Sequence, residues 1–247
     1  MNNQVDYKNS FKVVLDSFLS ALKYLFKSVK HYASYMQFCL IQLFASLFVL
    51  LTPFACKANY GVTEKIMKKE EYELLVEYKG ISGLKKYLKF FLLNVLQVAL
   101  ILGVIIAVIF IVSPLILVFS FEETLPVAAI IGALAMIFAL LIVIPLFYSA
   151  NYIYSTEELS LVDNLKKSIN NGKSKASNIV LANILLYILN ALLCAVPMFL
   201  IIDGITNLEN VEAGVGILLL IFVFPIVCLT SNLVQLQLIK QLPKEAK

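Results

Sequence analysis

The chain has 247 residues, of which 61% are hydrophobic and 15% are charged, with a formal net charge of +4. Soluble domains are about 45–50% apolar and about a quarter charged, so this composition excludes an ordinary soluble domain. Residues 91–121, 125–156 and 176–202 contain no charged side chain, and apolar runs of about 18 or more residues predict membrane spans. We therefore predict an integral membrane protein.

An amphipathic helix is predicted over residues 9–31. At about 100° per residue its lysines share one sector with Asp16, and apolar side chains occupy the opposite side. The pattern is typical of a helix in the plane of the membrane interface, where lysines contact lipid head groups. The lysines concerned are Lys12, Lys23, Lys27 and Lys30. A first span is predicted over residues 33–56.

The rest of the chain alternates between charged segments and pairs of spans. A charged cytoplasmic segment is predicted at 57–89, a hairpin at 90–151, a cytoplasmic amphipathic segment at 152–177 and a second hairpin at 178–239. The capping-box spacing of Ser155 and Glu158 predicts a helix start, and Asn171-Gly172 predicts its end. The predicted fold is all-α, a single membrane domain over 1–247 forming a polytopic transmembrane helical bundle of five to six spans, built from helical hairpins linked by amphipathic helices.

A short pattern recurs along the chain. PFACKANYGVTEK begins at Pro53, PLFYSANYIYSTEE at Pro145 and the looser PIVCLTSNLVQLQ at Pro225. Proline frees a backbone carbonyl, which nearby hydroxyl or amide side chains can satisfy. We interpret the copies as the last turns of returning helices before they leave the membrane. The alternative is that unrelated helix ends converged on the same chemistry.

Lysines and acids are partitioned between the loops. Segments 57–89 and 157–175 hold twelve lysines, whereas the two hairpin tips carry only acidic charges. The positive-inside rule places the lysine segments and the C-terminus in the cytoplasm. The first span then starts outside, although five lysines precede it. Either the N-terminal helix lies on the outer face, or residues 11–30 enter the membrane as a partial first helix, which the hairpin pattern favours.

Residues that carry catalysis or bind metals are scarce. The single histidine, His31, sits at a lysine-rich helix end, where an interfacial role is more common than a catalytic one. The four cysteines have no CxxC spacing and are interpreted as buried packing thiols. We predict no catalytic, cofactor-binding or metal-binding residues and no enzyme activity.

Two groups of side chains are candidates for function. Basic residues near an anionic leaflet attract lipid head groups, so we predict such contact by the N-terminal lysines and by the group that precedes a span, Lys85, Lys86 and Lys89. Amides within apolar segments are candidates for a polar pathway, although they more often join helices by hydrogen bonds. These are Asn183, Asn190 and Asn232.

The segment PLFYSANYIYSTEELSLVDNLKKSINNGKSK carries a family resemblance. The residues concerned are Pro145, Tyr148, Tyr152, Asp163, Lys167, Ser168 and Gly172, with Gly61 and Phe90 more loosely. Over about residues 55–195 the chain resembles uncharacterised bacterial membrane proteins related to the glycerophosphodiester phosphodiesterase membrane domain. The resemblance implies a bundle of about six spans in which amphipathic helices precede hairpins. The soluble phosphodiesterase barrel is absent from the sequence, so no hydrolase activity is implied.

These observations predict a non-enzymatic accessory, scaffold or lipid-interacting protein. Lysine at every basic position and the lack of tryptophan indicate an AT-rich, bacterial genome, so the expected location is the bacterial cytoplasmic membrane, with a multi-pass topology and a cytoplasmic C-terminus. Expected partners are anionic lipids, another membrane protein or a second copy of the chain. Nucleic acid is disfavoured because acids interleave with the lysines. The alternative function is a transporter or channel subunit for a neutral or lipidic solute.

Overall fold

The computed structural model describes residues 7–78, 84–118, 148–157, 159–207 and 210–241, together with the isolated positions 132, 137 and 145. The helices are α1 (Tyr7–Leu25), α2 (Val29–Leu47), α3 (Thr52–Lys68), α4 (Leu74–Tyr78), α5 (Leu84–Val118), α6 (Ala150–Thr156), α7 (Leu161–Thr206) and α8 (Asn210–Lys240), and a short 3-10 turn covers Val49–Leu51. All regular elements in these ranges are helical, which confirms the predicted all-α class.

Three of these helices are long and apolar enough to cross a membrane, over Leu84–Phe110, Leu161–Thr206 and Val211–Lys240. Large apolar side chains on them point away from the protein. Phe110, Phe199 and Leu218 are exposed by 72%, 66% and 68%, which suits contact with lipid better than contact with water. The predicted total of five to six spans goes beyond these three. Most of the returning helix of the 90–151 hairpin lies outside the described residues.

The chain forms two compact units, Met1–Ile81 with Ser177–Lys247, and Ser82–Ala176. In the first unit α1, α2 and α3 all pack against α8. Its core side chains, each at most 1% exposed, include Leu25, Tyr35, Phe38, Val62, Leu229 and Leu233. The C-terminal half of α8 is thus a protein-covered helix, whereas its N-terminal half keeps an exposed apolar surface.

Helix α1 packs along α8 through a face of small residues. Ser10, Ser17 and Ala21 are at most 2% exposed. Small side chains allow two helix backbones to approach closely, as is common between membrane helices. The Ser10 hydroxyl also donates to the Asn178 carbonyl of α7 at 3.3 Å. Protein covers part of the apolar surface of α1, while Phe11 stays exposed by 57%, and the position of this helix in the interface plane stays a prediction.

The predicted helix over 9–31 is divided in two. Helix α1 ends at Leu25, and Ser28, with φ −162° and ψ 159°, caps the start of α2. The Ser28 hydroxyl accepts a hydrogen bond from the His31 backbone N–H at 3.3 Å, which is the usual way a serine starts a new helix. As a result Lys12 and Lys23 belong to α1, Lys27 lies in the turn between the helices and Lys30 belongs to α2.

The predicted span 33–56 also contains a break. Helix α2 ends at Leu47, and Phe48 is extended. Pro53 then lies in the first turn of α3. Proline is tolerated there because a backbone N–H in the first turn has no partner within the helix. The Gln42 side chain donates to the Ala55 carbonyl at 2.9 Å and so joins α2 to α3. Pro53 therefore begins a helix, which corrects the interpretation of this copy of the pattern as the last turns of one.

In the second unit α6 packs against α5. The rings of Phe90 and Tyr154 lie 5.2 Å apart, and the Tyr154 hydroxyl donates to the Lys86 carbonyl at 3.3 Å. The Asn151 amide donates to Gln97 at 3.1 Å. Lys167, near the start of α7, forms an ion pair at 2.9 Å with Glu157, which follows the last residue of α6. Aromatic, amide and ionic contacts all contribute to this unit.

Helix α7 starts and continues differently from the prediction. Its cap is Ser160, whose hydroxyl accepts from the Asp163 N–H at 3.2 Å. The predicted cap at Ser155 is wrong because α6 already occupies that position. The helix also passes through Gly172 and is kinked at Lys175, with φ −129° and ψ 17°.

Candidate functional site

The candidate site is a cavity of about 570 Å³ in the first unit. Such a volume falls within the roughly 300–1,000 Å³ of typical small-ligand sites. Its wall is formed by the end of α1, the start of α2, the end of α3 with the residues that follow it, and the last third of α8. Leu233 and Gln237 are the α8 residues that line the cavity. The cavity therefore lies beside the C-terminal part of the candidate span Val211–Lys240.

Four lysines line the cavity, and three were predicted head-group contacts. Lys23 comes from the end of α1, Lys27 from the turn that follows it and Lys30 from the start of α2, and Lys69 directly follows α3. Within the described ranges none of them forms an ion pair, although Glu70 and Glu71 line the same cavity. Their positive charges are therefore available to an anion.

The other predicted lysines lie elsewhere. Lys12 is exposed on α1 and does not line this cavity. Lys85, Lys86 and Lys89 lie at the start of α5 in the second unit, immediately before its apolar stretch. The structure thus groups three of the seven predicted lysines, Lys23, Lys27 and Lys30, with a fourth, Lys69, that sequence reasoning did not select as a site residue.

Lys69 has an unusual backbone conformation, with φ 60° and ψ 30°. It is the one non-glycine residue with positive φ in the part of the chain that the structure describes. Its N–H donates to the Ile66 carbonyl at 3.1 Å and that of Glu70 to the Lys65 carbonyl at 2.9 Å, so Lys69 ends α3. Glycine or asparagine is usual here because a side chain costs about 1–2 kcal/mol in this region. The tight turn directs the following segment along the cavity.

Two tyrosines and a serine form a hydrogen-bonded set on the cavity wall. The Ser34 hydroxyl donates to the Tyr72 hydroxyl at 3.4 Å, and Tyr24 also hydrogen-bonds to Tyr72. Burial raises the pKa of both phenols, most strongly for Tyr24. Both therefore stay protonated at neutral pH and serve as hydrogen-bond donors.

His31 completes the polar side of the cavity. Its Nδ1 lies 2.6 Å from the Ser28 hydroxyl, and its ring meets Tyr24 edge-on with 5.1 Å between centroids. These contacts fix the ring at the start of α2. The geometry suits an orienting or hydrogen-bonding role, and among the described residues no group of three His, Cys, Asp or Glu side chains is placed to hold a metal ion.

The three asparagines that were predicted to line a polar pathway each make separate contacts. The Asn232 amide donates to the Tyr35 hydroxyl at 3.1 Å and accepts from Asn59 at 2.9 Å. Asn190 donates to Ser231 at 3.3 Å. Asn183 donates to the Ile179 carbonyl within its own helix at 2.9 Å. These donors join helices or satisfy backbone, while the buried Oδ1 atoms of Asn59 and Asn190 lack a donor within the described protein.

Sequence reasoning missed Lys69, Tyr24 and Tyr72 as members of one site. The four-residue spacing of Lys69 and Glu73 predicts an ion pair along one helix, but α3 ends at Lys68. The same spacing predicts a pair of Glu64 and Lys68, which is present at 3.3 Å. The available signal was the change from lysines to acids at residues 68–71, which marks the helix end.

Comparison with protein-family models, with curated proteins and with solved structures finds no match. The resemblance to the phosphodiesterase membrane-domain proteins therefore stays a prediction.

Proposed function

We propose that the protein is a non-enzymatic, multi-pass protein of the bacterial cytoplasmic membrane that acts as an accessory or scaffold and interacts with anionic lipids. The observation that carries the proposal is the cavity lined by Lys23, Lys27, Lys30 and Lys69 in a chain with three membrane-type helices. Basic side chains near an anionic leaflet each contribute about 1 kcal/mol to its attraction.

The second lysine group supports the same function. Lys85, Lys86 and Lys89 precede the apolar stretch of α5, with Lys86 and Lys89 partly covered. Lysines at such positions extend their apolar stems along the helix and hold the ammonium group at the level of the lipid head groups. Both lysine groups thus suit contact with acidic lipids.

The amides of the first unit support a packing role over a solute pathway. Their nitrogen atoms donate across helix contacts, as between Asn59 and Asn232 or Asn190 and Ser231. Interhelical hydrogen bonds of this kind stabilise membrane bundles. A scaffold requires such contacts, whereas a transporter requires amides that face a hydrated path.

The proposal is tested by extracting the full-length protein in a mild detergent and identifying the retained lipids by native mass spectrometry. We expect enrichment of anionic over zwitterionic lipids relative to the source membrane, which weakens as salt is raised because the attraction is electrostatic. Retention in proportion to membrane composition would contradict lipid interaction. Solute flux in protein-containing liposomes, absent from empty ones, would favour the transporter instead.

A further inference from the structure

The lining of the cavity has an excess of positive charge. Four lysines and two glutamates give a net charge of +2 with His31 neutral. A phosphomonoester carries about −1.5 to −2 charges at pH 7, whereas a phosphodiester carries one. The charge of the cavity therefore matches a terminal phosphate better than a bridging phosphate.

The hydrogen-bond donors also suit a phosphate group. A hydroxyl has one hydrogen to donate and two lone pairs to accept with. The Tyr72 oxygen receives bonds from Ser34 and Tyr24, so its own hydrogen is left for a group in the cavity. Burial keeps this phenol protonated by raising its pKa. Tyr72 and the four lysines thus all line the cavity as donors, and phosphate oxygens are strong acceptors.

Part of the remaining wall is apolar and distinguishes a lipid from a soluble anion. Ile66, Met67 and Leu233 line the cavity, and Ile66 and Leu233 belong to the buried core. Beside the cavity lysines, Phe26 and Val29 are exposed by 56% and 86%. An amphiphile places its phosphate among the lysines and its apolar part along these side chains, whereas a small soluble phosphate leaves them in water.

We propose that this cavity binds the phosphomonoester head group of a phosphatidic-acid-type lipid. The inference rests on the proposed lipid-interacting function and names the chemistry of its ligand. Lys23, Lys27, Lys30 and Lys69 neutralise the phosphate, Tyr72 donates to it, and the left-handed turn at Lys69 adds a lysine that follows α3 to those from the α1–α2 region.

The test is native mass spectrometry of the delipidated full-length protein in detergent, titrated with three lipids that share the same acyl chains. These are phosphatidic acid, a phosphomonoester; phosphatidylglycerol, an anionic phosphodiester; and phosphatidylcholine, a zwitterion. We expect affinity to fall in that order, with phosphatidic acid bound at least about fivefold more tightly than phosphatidylglycerol, as expected for one further charge interaction.

Matched variants locate the site. Lys27→Gln and Lys69→Gln are each expected to weaken phosphatidic-acid binding about fivefold. Tyr72→Phe, which also removes the acceptor of the Ser34 and Tyr24 bonds, is expected to weaken it as well. Lys12→Gln removes an exposed lysine of α1 that lies outside the cavity, and is expected to have little effect. Equal losses from Lys12→Gln and Lys27→Gln would overturn the site.

The remaining outcomes separate this inference from the broader function. Equal affinity for phosphatidic acid and phosphatidylglycerol, both above phosphatidylcholine, would overturn the phosphomonoester assignment and leave the anionic-lipid function standing. No preference over phosphatidylcholine would overturn both. Displacement of phosphatidic acid by an equal concentration of glycerol phosphate would overturn the lipid as ligand, because a soluble phosphomonoester would then suffice.

Discussion

Asn59 donates a hydrogen bond from its amide nitrogen to the amide oxygen of Asn232, at 2.9 Å, and so joins α3 to α8. The two asparagines come from the first and third copies of the recurring pattern, after Pro53 and Pro225 respectively. Asn232 also donates to Tyr35 of α2 at 3.1 Å. One asparagine therefore holds three helices together.

The asparagine of the second copy makes a comparable contact in the other unit. Asn151 donates to Gln97 of α5 at 3.1 Å. The prolines of the first and third copies, by contrast, occupy different places, since Pro53 starts a helix and Pro225 lies inside one. What the copies share in the structure is an amide that bonds to another helix, and this gives the pattern a packing role.

We expect Asn232→Leu to destabilise the protein by about 1–3 kcal/mol. The substitution removes the amide that accepts from Asn59 and donates to Tyr35, and it leaves these two side chains with unsatisfied groups, which cost about that much. The free energy of unfolding is measured in mixed micelles of mild detergent and dodecyl sulfate. Asn170→Ala, at an exposed asparagine of α7, is the control and is expected to change it by less than about 0.5 kcal/mol.

A double-mutant cycle separates the bond itself from the change in packing. Asn59→Leu combined with Asn232→Leu is expected to cost less than the two single changes together, because no unpaired amide remains. Additive costs within about 0.5 kcal/mol would show that the two amides do not interact.

The sequence predicts the apolar helices well and their interruptions poorly. The charge-free runs 91–121 and 176–202 correctly indicate α5 and α7, and the predicted hairpin 178–239 covers α8, because a long apolar helix needs little tertiary context. The break at Ser28 was missed, since the lysine pattern continues unchanged through it and one serine cap decides the geometry. Lys69 and Tyr72 were missed because their role depends on α1 and α2, which reach the same cavity from distant sequence.

Two of the four cysteines are expected to form a disulfide under mild oxidation. The Cys39 and Cys228 thiols are hydrogen-bonded to one another between α2 and α8. A copper–phenanthroline catalyst with dissolved oxygen as oxidant removes two hydrogens from the pair. Peptide mass spectrometry should then find one intramolecular cross-link, and Cys56 and Cys194 should remain reduced and react with maleimide once the protein is unfolded. Cross-links that involve Cys56 or Cys194 at equal yield would contradict the packing of α2 on α8.

The ion pairs at Glu64 give a pH dependence with a defined sign. Burial alone would raise the pKa of this carboxyl, but its contacts with Lys240 and Lys68 lower it overall. A carboxyl with a lowered folded-state pKa stabilises the protein above its unfolded pKa, and this contribution is lost as the pH falls through the folded value. Glu64→Gln should therefore cost at most about 1 kcal/mol at pH 7, since the pairs are partly exposed.

The cost of Glu64→Gln should shrink as the pH falls below the unfolded-state pKa of about 4.3, and disappear once the pH is below the lowered folded-state pKa. Unfolding curves of parent and variant at several pH values test this. Glu73→Gln, at an exposed glutamate beyond the end of α3, is the control and should show no such convergence. A Glu64→Gln cost that stays constant as the pH falls through both pKa values would assign the effect to packing.

Orientation across the membrane is expected to follow the lysines. Helix α7 runs from Lys173 to Thr206 over about 50 Å at 1.5 Å per residue, more than the roughly 30 Å of the hydrocarbon core, so it can place these residues on opposite sides. In a cysteine-free background, Thr206→Cys should react with an impermeant maleimide added to intact cells. Lys173→Cys and Lys68→Cys should react only after the membrane is permeabilised, because lysine-rich segments stay in the cytoplasm.

A Glu122→Cys variant tests the acidic tip of the other predicted hairpin, which lies outside the described residues, and should react from outside like Thr206→Cys. Labelling of Lys173→Cys in intact cells with Thr206→Cys protected would reverse the orientation and place the lysine-lined cavity on the outer side.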